Sequence, residues 1–318
     1  MNDIQKPFLI IDSLNLFTRH FIANPTISAN GEHIGGIVGF LKAIQLLSER
    51  FIPENVYVIW EGGGSSRRRS IKSSYKNSRR PQKLNRFYSN EEIPDTVENR
   101  NWQIASLIKL LNLAGISQLY VSDCEADDII GFLCLNKFKS ENKIIISSDK
   151  DLYQLIDEKT LQWSPGQKKI INSECVREKF GVYPKDFCLV RSFVGDVSDN
   201  LPGIKGAGFK SLVKRFPEIN ERDFLIEELI SLAVDKSKQS KLKIYSEIAA
   251  NSEIPRTNWR LMNLDHRNLS QFQINKISSA LENKSSKRNK LNFIREQNKI
   301  GIKNFNVERF FMSTRNLG

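Results

Sequence analysis

Short apolar runs that end in an acid recur along the first half of the chain. Phe8 to Ile11 runs into Asp12, Val56 to Trp60 into Glu61, and Ile144 to Ile146 passes through Ser147 and Ser148 into Asp149. A fourth run, Leu119 to Val121, is followed by Glu125, Asp127 and Asp128. Between these runs, Gly36 to Leu47, Trp102 to Leu113 and Ile129 to Leu135 carry apolar residues at helical spacing. Strand-length runs alternating with helices predict an α/β fold: a central, mostly parallel sheet with helices on both faces. Parallel order brings the carboxyl ends of the strands, and these acids, to one rim, where open sheets of this kind bind ligands.

After Leu155 the pattern changes, and from Ser173 onward it is mainly helical with turn punctuation. The expected division is an α/β core over 1–172 and a helical region over 173–318, in line with about 150 residues per domain. The chain carries 48 Lys and Arg against 36 Asp and Glu, a net charge of +12. Nine of those cations lie between Gly64 and Asn90 without a single acid: Arg67, Arg68, Arg69, Lys72, Lys76, Arg79, Arg80, Lys83 and Arg86. The tail after Gln271 is a second basic region. Such patches suit a polyanionic partner, although a solvated loop is the ordinary explanation for any one of them.

No apolar run approaches the roughly 18 residues of a membrane span. Four cysteines without a C-x-x-C pair and only three histidines argue against a disulfide scaffold, a zinc site or a His-dependent triad. The N-terminus shows no signal-peptide pattern, so a cytoplasmic protein is expected.

Taken singly, each acid has a structural explanation as a helix cap or dipole partner. Taken together, Asp12, Glu61, Glu125, Asp127, Asp128, Asp149 and Asp151, with Asp196 and Asp199 further on, would repel one another severely at one rim unless cations neutralised them. An all-oxygen donor set favours Mg²⁺, with Mn²⁺ as a substitute, over zinc. Two such ions would polarise a phosphodiester and activate water.

These residues resemble the 5′ nuclease family: flap endonucleases, the 5′-3′ exonuclease domain of DNA polymerase I and phage 5′ nucleases. Ile10-Ile11-Asp12-Ser13 with Arg19 is similar to the opening strand and arginine, and Gly31, Gly36, Gly39, Phe40 and Leu41 to the next segment. Glu125-Ala126-Asp127-Asp128, Ser148-Asp149-Lys150-Asp151 and Gly195-Asp196-Val197-Ser198-Asp199-Asn200 resemble three metal motifs, in order. Tyr75-Lys76-Asn77-Ser78-Arg79 looks like the motif of a basic helical arch, here near 64–90. The resemblance implies that Lys76 and Arg79 steady the scissile phosphate and that Arg68 adds a contact. Arg19 and Tyr75 would also meet DNA.

Gly203-Ile204-Lys205-Gly206-Ala207-Gly208-Phe209-Lys210 looks like the family's helix-three-turn-helix, near 190–216. Small residues there let backbone approach phosphate, and Lys205, Lys210 and Lys214 add charge. Gln162-Trp163-Ser164-Pro165, and more loosely the strand-like text around Leu261 to Asp265, are similar to a phage RNase H, which points to a phage member working in the host cytoplasm. Glu61 departs from the family's usual Asp, and the three glycines after it would absorb the longer reach.

The expectation is a Mg²⁺-dependent 5′-3′ exonuclease and flap endonuclease. It would be a monomer acting on 5′ flaps, nicks, RNA primers or RNA-DNA hybrids during replication or repair. A single-strand binding protein or sliding clamp is left open as a partner. The competing readings are a non-catalytic structure-selective DNA-binding protein, which should have lost the acids, and a PIN-type ribonuclease, which explains neither the Tyr75 motif nor the glycine hairpin.

Overall fold

The computed structural model describes residues 5–77, 97–282, 287–315 and 317. Six strands form one sheet: β1 (Phe8–Asp12), β2 (Asn55–Trp60), β3 (Ser117–Tyr120), β4 (Lys143–Ile146), β5 (Thr160–Ser164) and β6 (Lys169–Ile171). Their spatial order is β3-β2-β1-β4-β5-β6, parallel throughout except for β6, which returns antiparallel on β5. β1 lies at the centre, paired with β2 and β4 from Phe8 onward, so Asp12 sits level with Ile59 and one step beyond the Ile11–Ile146 pair.

Successive strand residues serve opposite faces, which is why these runs are apolar at every position rather than alternating. Leu9, Ile11, Val56, Val58, Ile144 and Ile146 face one core with helices α1 (Ser13–Ala23), α2 (Gly35–Phe51) and, beyond α3 (Ser66–Ile71), α4 (Val97–Leu113). Ile10, Ile59 and Ile145 face the other, beneath α5 (Ala126–Phe132).

A second core gathers Val176, Phe187, Val190, Phe193, Leu212, Phe216, Leu229 and Ile248. They come from α6 (Ser173–Phe180), α7 (Pro184–Val194), α8 (Phe209–Arg215), α9 (Ile226–Gln239) and α10 (Lys243–Ala250). α11 (Glu253–Met262) follows, then α12 (Gln271–Glu282), α13 (Lys290–Ile300) and α14 (Val307–Ser313).

Two features differ from the expected organisation. Leu261 and Met262 end α11 instead of forming a strand, their side chains buried against Tyr75, Cys188 and Leu201. The last helices do not extend the helical region: Ile277 of α12 joins the core under α5, while Phe293, Ile300, Phe305 and Phe310 enter the core of α1, α2 and α4. The helical region is therefore an excursion, over roughly 173–262, from a first unit that the tail completes. Trp163 is a core residue, edge-on to Phe51 and covered by the Arg50 guanidinium. Among the described residues no helix is long and apolar enough to cross a membrane.

Candidate active site

The strand ends supply the first acids, and short hydrogen bonds fix them. Asp12 is only 7% exposed. Its Oδ1 accepts from the Asn15 N–H at 3.2 Å, capping α1, and its Oδ2 accepts from the Ser147 hydroxyl at 2.9 Å. Ser147 Oγ also accepts from the Asp149 N–H at 3.0 Å, and Asp149 Oδ1 from the Asp151 N–H at 2.8 Å. Gln162 on β5 donates to the carbonyls of Ser147 and Asp149 at 2.9 and 2.7 Å. The capping explanation for Asp149 thus holds for one of its oxygens, while the residue stays half-exposed at the rim.

Glu61 accepts from the Ala126 N–H at 3.2 Å and so caps α5. The longer side chain is placed by Gly62, which exchanges backbone hydrogen bonds with the loop before α5: Gly62 N–H to Cys124 at 2.9 Å and Asp123 N–H to Gly62 at 2.8 Å. A Cβ on Gly62 would stand 1.7 Å from the Val121 carbonyl oxygen. Gly62→Ala is therefore expected to destabilise the fold by about 3 kcal/mol, the upper end of ordinary overpacking, and to displace Glu61. Urea unfolding of the variant, with an unchanged slope, checks this.

Glu125, 2% exposed, is held by three residues of α3 and the turn after it: Lys76 Nζ at 2.6 Å, Arg68 Nη1 at 3.1 Å and the Tyr75 hydroxyl at 3.4 Å. Asp128 receives both terminal nitrogens of Arg68, Nη2 at 2.9 Å, while Arg68 Nε donates to the Leu261 carbonyl at 2.8 Å. Arg68 is 1% exposed, so in this arrangement it ties α3, α5 and α11 together. Tyr75 is likewise buried against Cys188, Leu201, Leu261 and Met262. Its ring is a packing pillar, and it reaches the site only through its hydroxyl. Lys76 adopts a left-handed backbone, φ +59°, and its N–H donates to the Asp199 carbonyl at 3.2 Å.

Asp196 accepts from the Ser198 N–H and hydroxyl at 2.8 and 2.7 Å. Asp151 and Asp196 share one cation, Arg191 of α7, whose Nε is 3.2 Å from Asp151 Oδ1 and whose Nη2 pairs with Asp196. Asp199 is buried beside them. Arg191 was not foreseen. Its only signal is a cation five residues before Asp196, indistinguishable in the sequence from a solvated helix charge.

The electrostatics follow from this crowding. Burial, opposed by Asn15 and Ser147 and reinforced by Asp149 and Glu61, raises Asp12 to about 6. Burial and Asp149 raise Asp151 to about 7 despite Arg191. Burial and Asp149 push Asp127 well up as well, and burial and Glu125 raise Glu61. Asp196 goes the other way: burial is outweighed by Ser198 and Arg191, which hold it below the usual carboxylate range.

Asp127 has no hydrogen-bond or ion-pair partner among the described residues. No three of the described acids already converge into a ready-made cage. The donor set still fits hard divalent cations, because its members are oxygens, several are desolvated and mutually repelling, and among the described residues Lys76, Arg68 and Arg191 are the cations paired with them.

The other predicted contacts lie on the surface. Lys205, Lys210 and Lys214 are exposed, as are Gly203, Gly206 and Gly208. Gly206 has φ +81°, and neither it nor Gly208 has any atom near the position a Cβ would take, so the backbone is bare. Gly203 differs: a Cβ there would lie 2.0 Å from the Val194 carbonyl oxygen, so its smallness serves the packing of the hairpin. Arg19 is exposed on α1, its guanidinium beside Gly166 in the β5–β6 turn. Arg79, Arg80, Lys83 and Arg86 lie outside the described residues.

Residues 7–181 match the family model described as 5′-3′ exonuclease, N-terminal resolvase-like domain. A 5′-3′ exonuclease of Buchnera aphidicola is 32% identical over 253 residues, covering 77% of this chain and 83% of that protein. One of Aquifex aeolicus is 33% identical over 211 residues, covering 65% and 68%. Among solved structures, T5 5′-exonuclease with zinc ions bound superposes with a TM-score of 0.63 over 87% of this chain and 98% of that one, at 19% identity, a likeness of fold. With the matched segment spanning every strand and the rim acids from Asp12 to Asp151, the chain belongs to the 5′-3′ exonuclease family and is a nuclease.

Proposed function

We propose that the chain hydrolyses phosphodiesters of DNA at junctions of single and double strand, removing 5′ flaps and RNA primers with Mg²⁺. The observation that carries this reading is the set of buried, mutually repelling carboxylates at and beside the parallel strand ends, compensated among the described residues by Lys76, Arg68 and Arg191, next to the first residues of the basic stretch. Asp12, Glu61, Asp127 and Asp149 would hold one ion, and Asp151, Asp196 and Asp199 a second. Glu125 and Asp128 would act through Lys76 and Arg68. Such ions supply Lewis-acid polarisation of phosphoryl oxygens and ease deprotonation of the attacking water.

The protein's own side chains do the rest. Lys76 holds a protonated amine at Glu125 Oε2, and burial is overcome there by Glu125, which raises its pKa, so the amine stays charged in the neutral range. A scissile phosphate entering beside it would meet a positive charge already in place, a preorganised form of stabilisation. Arg79 would add a second cation from the arch. The bare backbone of Gly206 and Gly208, with Lys205, Lys210 and Lys214, would grip duplex phosphates without reading sequence. Arg19 would meet the strand near the β5–β6 turn.

The decisive experiment is cleavage of 5′-labelled flap, nicked and RNA-primed substrates with Mg²⁺ and with chelator. Metal-dependent release of 5′ products supports the proposal, and equal rates with and without metal overturn the metal mechanism. A binding protein without activity would leave all three substrates intact.

A pH prediction comes with the site. Asp12 and Asp151 are raised in the folded chain, so the fold favours their protonated forms. Their contribution is complete below about pH 4 and is lost as pH rises through about 6 to 7. Added Mg²⁺ should therefore raise the melting temperature more at pH 7.5 than at pH 5, where protons compete for the same oxygens. Equal shifts at the two pH values would contradict this.

A further inference from the structure

The turn after α3 and the loop after α7 meet beside the rim acids. The loop, 196–201, carries Asp196 and Asp199 and is closed by paired backbone hydrogen bonds between Asp196 and Leu201, at 2.9 and 2.7 Å. Three further hydrogen bonds tie it to the turn at 72–77. Lys72 Nζ donates to the Asn200 carbonyl at 2.6 Å, Asn200 Nδ2 to the Ser74 carbonyl at 3.1 Å, and the Lys76 N–H to the Asp199 carbonyl at 3.2 Å.

Two of the five non-glycine residues with a left-handed backbone among the described residues belong to this contact: Lys76 and Asn200, both at φ +59°. Asparagine takes that conformation readily. Lysine does not, and keeps it only where its surroundings over-determine it. Here the loop does so: the N–H of the strained residue is spent on Asp199, and the Asn200 amide catches the carbonyl two residues before it. At its other end the same lysine places Nζ 2.6 Å from Glu125. Lys76 is thus fixed twice, its backbone by the loop and its amine by Glu125.

We propose that Asn200 is a positioning residue: its side-chain amide latches the 72–77 turn onto the loop that carries Asp196 and Asp199, and so sets where the Lys76 amine stands relative to those acids. The effect on rate rests on the nuclease reading, because the place of Lys76 matters to cleavage only if a scissile phosphate meets its charge. The latch itself does not rest on it.

Asn200→Gly keeps the left-handed backbone and removes only the amide. In the full chain with chelator and no DNA, the Lys76 amide proton, followed by NMR hydrogen exchange, should exchange about 3- to 10-fold faster than in the parent, the scale of one lost hydrogen bond. In Mg²⁺, single-turnover cleavage of a 5′-flap duplex should lose a similar factor in its maximal rate, while the half-saturating enzyme concentration stays within about 2-fold. Lys76→Met completes a double-mutant cycle. If Asn200 acts through Lys76 the losses are non-additive, and adding Asn200→Gly to Lys76→Met should slow cleavage by less than about 2-fold more. Urea unfolding should place Asn200→Gly close to the parent, as for other exposed substitutions, so slower cleavage is not lost fold.

An unchanged exchange rate at Lys76 overturns the latch. Full additivity in the cycle, an unchanged maximal rate, or a loss confined to the half-saturating concentration overturns the positioning role and leaves the nuclease reading intact. If instead Lys76→Met cleaves like the parent, or the parent cleaves no flap with Mg²⁺, the catalytic reading of Lys76 or of the whole site fails. The positioning role falls with it, and faster exchange in Asn200→Gly then leaves the latch as a contact of the fold alone.

Discussion

Arg68→Ala is expected to destabilise the fold by about 3–5 kcal/mol, the cost of removing one partner from a buried ion pair. The guanidinium is 1% exposed and serves Asp128, Glu125 and the Leu261 carbonyl at once. Without it Asp128 stays buried without its cation, Glu125 keeps only Lys76 and the Tyr75 hydroxyl of its three partners here, and α11 loses one of its ties to α3. Arg68→Lys should recover little, because one ammonium cannot span both Asp128 oxygens and a carbonyl. Denaturant unfolding measures both variants. A loss below about 1 kcal/mol, the range of exposed pairs, would show that Arg68 is free to leave its partners and touch substrate. Because Arg68 also orients Glu125, cleavage should fall in either variant even where the fold survives.

Asp127→Asn should move stability and activity in opposite directions. Asp127 faces Asp149, Asp12 and Glu125, makes no hydrogen bond or close ion pair among the described residues, and is pushed well above the usual carboxylate range by burial and then by Asp149, with Lys76 opposing the rise. Neutralising it relieves repulsion, so the metal-free chain should gain about 1 kcal/mol, a gain typical where a site is strained for function. Mg²⁺-dependent cleavage should fall by about 10²–10³-fold or more, the scale on which loss of one preorganised electrostatic group slows a reaction. Thermal unfolding in chelator and flap-cleavage rates in Mg²⁺ check the two halves. A destabilised Asp127→Asn with normal cleavage would place Asp127 outside the metal site.

The parts of this site legible in the sequence are those fixed by local pattern. Asp12, Glu61 and Asp149 follow apolar strand runs, and parallel order alone brings strand ends together. The acids before α5 are legible because the apolar residues after them mark a buried helix. What was hidden depends on side chains meeting across the fold. Arg191 gains its meaning only because α7 packs beside the Asp151–Leu155 turn, 40 residues earlier in the chain. Tyr75 and Arg68 read in the sequence as contacts to DNA, yet Tyr75 is buried against Leu261 and Met262 and Arg68 donates to the Leu261 carbonyl, so both tie this segment to α11. Phe293 and Ile300 lie seven residues apart, at helical spacing, and Phe310 falls on the next helix, but nothing in the sequence tells which core they cover.

The return of the last helices to the first core has a kinetic side. Arg309 pairs with Glu49 across 260 residues, and Asn30 donates to the Lys299 carbonyl across 269. Contacts so distant form late, since loop closure must be met before they stabilise anything. Until α13 and α14 dock, the apolar flanks of α2 and α4 stay open to water and to other chains, a state prone to aggregation. Refolding should therefore show a slow final phase, and a protease cut between α12 and α13 should release a chain that starts to fold but cannot finish.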